Sequence, residues 1–194
     1  IDQARARLHV LMQEGVKALM AADWSSDGDL PPPVALLAAS LGLGKTAEAI
    51  DIALTLIGRG VGPVVIAAPD HKLNRQLRDR ARAAAAAIGN PARIEMRLGR
   101  EANNPDGPGT MCLDLEAVRD VIAAGLDAQS TVCERRVEVG RDDNGRPIYE
   151  VRRCPFFDAC PFQAQAAKSA DLWLVSHAAL SHTKPGNIGR PALL

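Results

Sequence analysis

Aromatic residues are scarce in this chain: two Trp, one Tyr and three Phe among 194 residues. Large aromatic anchors for a core are therefore few. The 47% hydrophobic content rests largely on 33 alanines, which favour helix. Net charge is missing too, since 23 Lys+Arg balance 23 Asp+Glu. That balance excludes a globally basic nucleic-acid coat or an acidic tail, while leaving room for a local basic groove. No apolar run reaches the roughly 18–20 residues of a membrane span, and no secretory signal opens the sequence. The first residue is Ile1, not Met, so a piece of a longer protein is expected. The starting expectation is a soluble, cytoplasmic, monomeric α/β fragment with no membrane association.

What is present follows a strand–helix grammar. Leu8, Leu11, Met12, Val16, Leu19 and Met20 recur at helical spacing, predicting an amphipathic helix over 5–22. A polar, proline-rich loop follows over 23–33, then a short buried strand at 34–38. Ala47, Ile50, Leu54 and Ile57 form the next helical stripe. The run 63–69 reads as a strand apolar on both faces, as parallel sheets require. Leu73, Leu77, Ala81, Ala84 and Ile88 mark another helix, and 92–98 a third strand. From about residue 100 the pattern changes to loop, a short helix over 114–126 with Leu115, Val118, Ile122 and Leu126 inward, and a charged hairpin over 134–153. That hairpin turns at Asp143, Asn144 and Gly145, a type I′ signal. A buried strand returns at 171–176, with a short helix at 178–183. The expected organisation is a parallel α/β sheet over 1–99, an insertion over 100–170, and a return to the sheet over 171–194.

Ala39, Ser40, Leu41, Gly42, Leu43, Gly44, Lys45 and Thr46 fall between a predicted strand and a predicted helix, the context of a phosphate-binding loop. Gly42 and Gly44 let the backbone turn its N–H groups towards a phosphate. The helix starting near Lys45 adds its positive end. Lys45 would reach the β/γ-phosphates of ATP and Thr46 would hold Mg²⁺. An ATPase also needs an acid after another strand. Asp70 is a weak candidate, and Asp171 precedes its strand rather than following it, so the catalytic acid is expected to be missing.

All four cysteines lie between 112 and 160: Cys112, Cys133, Cys154 and Cys160. Their spacing fits the close pairs of zinc sites poorly. Four thiolates in one insertion suit a [4Fe–4S] cluster, and free cysteines also serve as small core residues. Spacing alone leaves cluster, zinc and unligated thiols open.

The residues around them resemble the iron–sulfur helicases of the XPD/DinG family. Cys154-Pro-Phe-Phe-Asp-Ala-Cys160-Pro-Phe-Gln163, followed by Ala170-Asp-Leu-Trp-Leu-Val-Ser-His177, is similar to that family's pattern after its cluster cysteines. Leu98-Gly-Arg100 and then Met111-Cys112 resemble its approach to the cluster domain. Ala68-Pro69-Asp70-His71 is similar to a motif that touches DNA backbone. The ordered set spans essentially the whole chain, although Leu41, Asp70 and Ser176 depart from it. The resemblance implies a P-loop (RecA-like) motor-domain fragment with an inserted, mainly helical four-cysteine subdomain. It implies an ATP-dependent 5′→3′ DNA helicase, binding ATP and Mg²⁺ and holding a [4Fe–4S] cluster on Cys112, Cys133, Cys154 and Cys160. Single-stranded DNA would be contacted near His71, Lys72 and Arg75, and a second motor domain would complete the engine. An acidic pair is expected to follow Leu194. The competing reading is a non-catalytic nucleotide- or nucleic-acid-binding module with a structural Cys₄ zinc site.

Charge adds modestly. Residues 70–100 hold eight Lys/Arg against three acids, with Arg78, Arg80 and Arg82 expected on a solvated helix face. His177 is expected to be a hydrogen-bonded structural residue, and Phe156, Phe157 and Phe162 to shield the cysteines. Trp24 and Trp173 have no clear role.

Overall fold

The structure, a computed structural model, describes residues 2–21, 44–180 and 188. The strand expected at 34–38, the loop before it, Trp24, residues 39–43 of the expected phosphate loop and the segment 189–194 lie outside the described residues. The elements along the chain are α1 (Asp2–Ala21), α2 (Lys45–Gly58), β1 (Val64–Ala68), α3 (His71–Ala87), β2 (Ile94–Met96) and α4 (Leu115–Ala123). A π-helical turn (Gln129–Cys133), β3 (Glu134–Arg141), β4 (Pro147–Arg153), α5 (Pro161–Ala164), a 3₁₀ turn, β5 (Leu172–Ser176) and α6 (His177–Leu180) follow. The chain divides into two compact units, one of Ile1–Arg97 with Ser169–Leu194 and one of Leu98–Lys168.

The first unit is α/β, built on a three-stranded parallel sheet in the order β1-β5-β2. β1 and β2 are joined through α3, and β5 enters between them much later in the chain. Val64 pairs with Leu172 on one side, and Ile94 pairs with the same Leu172 on the other. A central parallel strand is covered on both faces, so its residues must be apolar without alternation. Leu172, Trp173 and Leu174 are accordingly fully buried. Each buried Leu contributes about 1.5–3 kcal/mol relative to exposure. Val65, Trp173 and Val175 pack with Ala170 and Ile188. α3 packs on all three strands, and α2 packs on α3 and β5.

Local chemistry sets the helix ends. Gly44 has φ +85°, a left-handed conformation that L side chains rarely adopt, and α2 begins at the next residue. Asp70 precedes α3, and its carboxylate accepts from the backbone N–H of Leu73 at 2.7 Å. That is a helix N-cap. The buried face of α3 is Asn74, Leu77, Ala81 and Ala85. The expected Ala84 is half-buried, and Ile88 lies past the helix end, 66% exposed. In α1 only Leu8 is buried, while Leu11 and Met20 are exposed.

The second unit combines short helical elements with the β3–β4 hairpin. The turn differs from expectation. Type I′ needs positive φ at both central residues, yet among the described residues no non-glycine has positive φ. Gly145 alone adopts it, donating to the Asp142 carbonyl, while the Asp142 N–H donates to the Arg146 carbonyl. This is a three-residue loop, a type I turn closed by a glycine bulge. The Asp142 carboxylate accepts from the N–H groups of Asn144 and Arg146, which fixes that geometry. In α4, Val118 is buried and Leu115 packs beside it, but Ile122 and, beyond the helix end, Leu126 are more than half exposed, against expectation. Among the described residues, no helix is long and apolar enough to cross a membrane.

Candidate metal centre and nucleotide site

The four cysteines reach one place by four different local routes. Cys112 follows a loop whose backbone folds back on itself: the Cys112 N–H donates to the Arg100 carbonyl, and the Met111 N–H to the Ala102 carbonyl. Cys133 is the last residue of the π-helical turn, immediately before β3. π-helical distortions of this kind occur frequently at functional sites. Cys154 follows β4 directly, and its N–H donates to the Cys133 carbonyl at 3.0 Å. Cys160 sits one short turn further on, its N–H donating to the Phe157 carbonyl and Pro161 starting α5 behind it.

Cys112, Cys133, Cys154 and Cys160 together line one small, partly open recess. Val118, Val132, Phe156 and Phe157 supply its apolar wall, and Asp114 and Gln163 its polar edge. Cys112, Cys133 and Cys160 are buried and Cys154 is half-buried; none forms a disulfide. Burial pushes the Cys112 thiol up. The neighbouring Cys160 and Cys133 push the same way, against an Asp114 backbone hydrogen bond and Arg100. Among the described residues, no three His, Cys, Asp or Glu groups are grouped to hold a single metal ion.

Polar contacts around the recess are few and directed. The Cys154 thiol donates to Asp114 Oδ2 at 3.9 Å, and the Cys160 thiol to the Met111 carbonyl at 3.5 Å. Arg100 was singled out in the sequence only as part of a motif, and the structure gives it a position. Its Nη2 donates to Gln129 Oε1 at 3.0 Å and approaches Cys133 Sγ at 3.7 Å. Its guanidinium lies 4.2 Å from the Phe162 ring centre. Its Nε is buried with no acceptor among the described residues. Phe156 and Phe157 stand at the recess as expected, whereas Phe162 serves Arg100 instead.

The donor set fits a group that takes four thiolates. Four thiols line one largely apolar recess, and the Arg100 guanidinium lies beside the Cys133 sulfur.

In the other unit, Lys45 and Thr46 form the first turn of α2, half-buried and exposed respectively. Among the described residues nothing lies within 4 Å of a Cβ added at Gly44, and its backbone conformation favours glycine. Residues 39–43 of the expected loop lie outside the described residues. Sequence reading missed the neighbour of this turn: Glu48 is held by His9 of α1, which Gln13 also contacts at 2.9 Å.

His71, Lys72 and Arg75 occupy the first turns of α3. Lys72 and Arg75 are exposed, and His71 is half-buried with its Nδ1 unpartnered among the described residues. Burial and then Arg75 lower the His71 pKa, with Asp70 opposing. Asp70 is committed to its cap. Arg82 is not merely solvated, because its Nη2 donates to the Ile94 carbonyl at 3.0 Å and ties α3 to β2. His177 is exposed at the start of α6 and makes no side-chain hydrogen bond among the described residues, unlike the structural role expected. Asn74, which the sequence reading passed over, is fully buried with Nδ2 and Oδ1 both unpartnered among the described residues.

No protein-family model, curated protein or solved structure matches this chain.

Proposed function

We propose that this chain is part of the first motor domain of an ATP-dependent 5′→3′ DNA helicase of the XPD/DinG kind, carrying a [4Fe–4S] insertion. The single observation that carries the reading is the convergence of Cys112, Cys133, Cys154 and Cys160 on one recess. Those positions share no single element, so their meeting is a property of the fold and not of local spacing. Cys112, Cys133, Cys154 and Cys160 would hold the cluster. Bound there, it cross-links four separated segments and couples cluster binding to folding.

The parallel α/β sheet supports the motor-domain part of the reading. Lys45 at the amino end of α2 would place its ammonium against the β/γ-phosphates of ATP. Thr46 would offer its hydroxyl to Mg²⁺, and the helix dipole favours the phosphate charge. His71, Lys72 and Arg75 would meet the phosphates of single-stranded DNA. Asp70 already caps α3, which leaves it poorly suited to activate water. A second motor domain would supply the remaining groups, and an arginine finger is worth roughly 10³–10⁵ in rate.

Titration with a fluorescent ATP analogue tests the nucleotide half. The chain should bind it, Lys45→Ala should abolish binding, and hydrolysis by this chain alone should be negligible. Robust DNA-stimulated turnover would contradict the division of labour proposed. One zinc per chain in place of iron would favour the non-catalytic module instead.

A further inference from the structure

Two of the four recess cysteines stand opposite each other at the base of the β3–β4 hairpin. The strands run antiparallel with Glu134 opposite Arg153, so the next rung sets Cys133 opposite Cys154. The Cys154 N–H closes that rung on the Cys133 carbonyl at 3.0 Å. Residues directly opposed on an antiparallel pair send their side chains to the same face, and both of these reach the recess. A hydrogen-bonded rung holds its two Cα atoms about 5.5 Å apart, within the roughly 4.4–6.8 Å that a disulfide spans. Cys112 and Cys160 share no such register, one following a loop and the other preceding α5.

We infer that Cys133 and Cys154 are a modification site, forming a reversible disulfide in the metal-free protein that closes the recess to a cluster. Access sets the order of steps. Cys154 is half-buried whereas Cys112, Cys133 and Cys160 are buried, so a small external disulfide such as oxidised glutathione meets Cys154 first. The Cys154 thiolate attacks one sulfur of the oxidant, a mixed disulfide forms, and one glutathione thiolate leaves. The Cys133 thiolate then attacks Cys154 Sγ and the second glutathione leaves. Two protein thiols become one disulfide, one glutathione disulfide becomes two thiols, and the two thiol protons pass to the departing glutathiones. The second step is intramolecular, and the hairpin register holds its partners together, which favours it over release of the adduct. The linked form keeps only Cys112 and Cys160 as thiols, short of the four that a [4Fe–4S] cluster takes. An excess of small thiol reverses the exchange. The inference rests on the proposal that these cysteines hold a cluster, and it adds a redox condition on loading.

Oxidised glutathione, added without oxygen to the whole chain after treatment with chelator and reductant, tests it. Free thiols counted in denaturant should fall from four to two per chain. Cleavage before aspartates puts each cysteine on its own peptide, Asp158 separating Cys154 from Cys160. The Cys133 and Cys154 peptides should then be found linked. The oxidised chain should take up no cluster from ferrous iron and sulfide, and dithiothreitol should restore uptake. The Cys112→Ser/Cys160→Ser variant, which keeps the hairpin pair, should form the same disulfide at an unchanged rate. Four free thiols after treatment, a stable glutathione adduct on Cys154, or a link between Cys112 and Cys160 in place of this one would overturn the inference and leave the cluster reading intact. A Cys133–Cys154 link in a chain whose reduced form takes up no four-iron cluster would keep the disulfide site and overturn the cluster reading.

Discussion

Cys133 and Cys154 are joined through their backbones: the Cys154 N–H donates to the Cys133 carbonyl at 3.0 Å, at the base of the β3–β4 hairpin. The Glu134–Arg153 ion pair lies immediately above that bond. Two of the four recess cysteines are thus held in register by a hairpin that is itself exposed on most of its surface. The hairpin is the clamp that fixes half of the thiol set.

If so, disturbing the distant turn should be felt at the thiols. Gly145 has φ +75°, where a β-branched residue is strained by about 1–2 kcal/mol. In metal-free protein, Gly145→Val should speed the reaction of Cys133 and Cys154 with a thiol reagent such as Ellman's. It should leave Cys112 nearly unchanged. Equal rates in both proteins would show that the hairpin does not hold the cysteines.

Asp171 sets a pH dependence in the other unit. Its carboxylate accepts from Arg93 Nη2 at 3.1 Å, from Arg93 Nε, and from the Arg93 backbone N–H at 2.9 Å. Those contacts, the side-chain one foremost, hold its pKa below the usual carboxylate value, against the opposing pull of burial. A depressed folded pKa contributes stability that is full above the unfolded value, near 3.9, and is lost as pH falls through the folded one. The stability difference between the unsubstituted chain and Asp171→Asn should be constant above about pH 5. It should shrink towards pH 2. A difference that grows on acidification would contradict this.

Asn74 should be replaceable with profit. It is fully buried on α3 with both amide atoms unpartnered among the described residues, and an unsatisfied buried polar group costs about 1–3 kcal/mol. Asn74→Leu, with the same number and branching of side-chain heavy atoms, should raise the urea midpoint by an amount corresponding to roughly 1 kcal/mol or more. A lower midpoint would mean that the amide is satisfied by a buried water or another group.

Legibility in the sequence followed physical contrast. β5 could be read because Leu172 to Val175 are apolar on both faces, which only a central strand requires. The α3 face was harder. Residues 83–87 are all alanine, so periodicity gives no contrast for choosing which one faces inward, and Ala85 is buried rather than Ala84. Asn74 escaped because patterning treats a polar residue as outward-facing. The order β1-β5-β2 pairs strands about a hundred residues apart, and no local signal encodes that. The turn at Gly145 had the right glycine and the wrong type, because the Asp142 side chain selects the longer loop. The four cysteines were visible as a set, but their shared recess arises from the hairpin, the π-helical turn and two loops acting together.

Iron and acid-labile sulfide per chain, measured on protein purified without oxygen, test the central claim most directly. The account predicts about four of each, with broad visible absorbance that is lost in Cys112→Ser and in Cys160→Ser. One zinc per chain, or cluster iron that survives both substitutions, would contradict it.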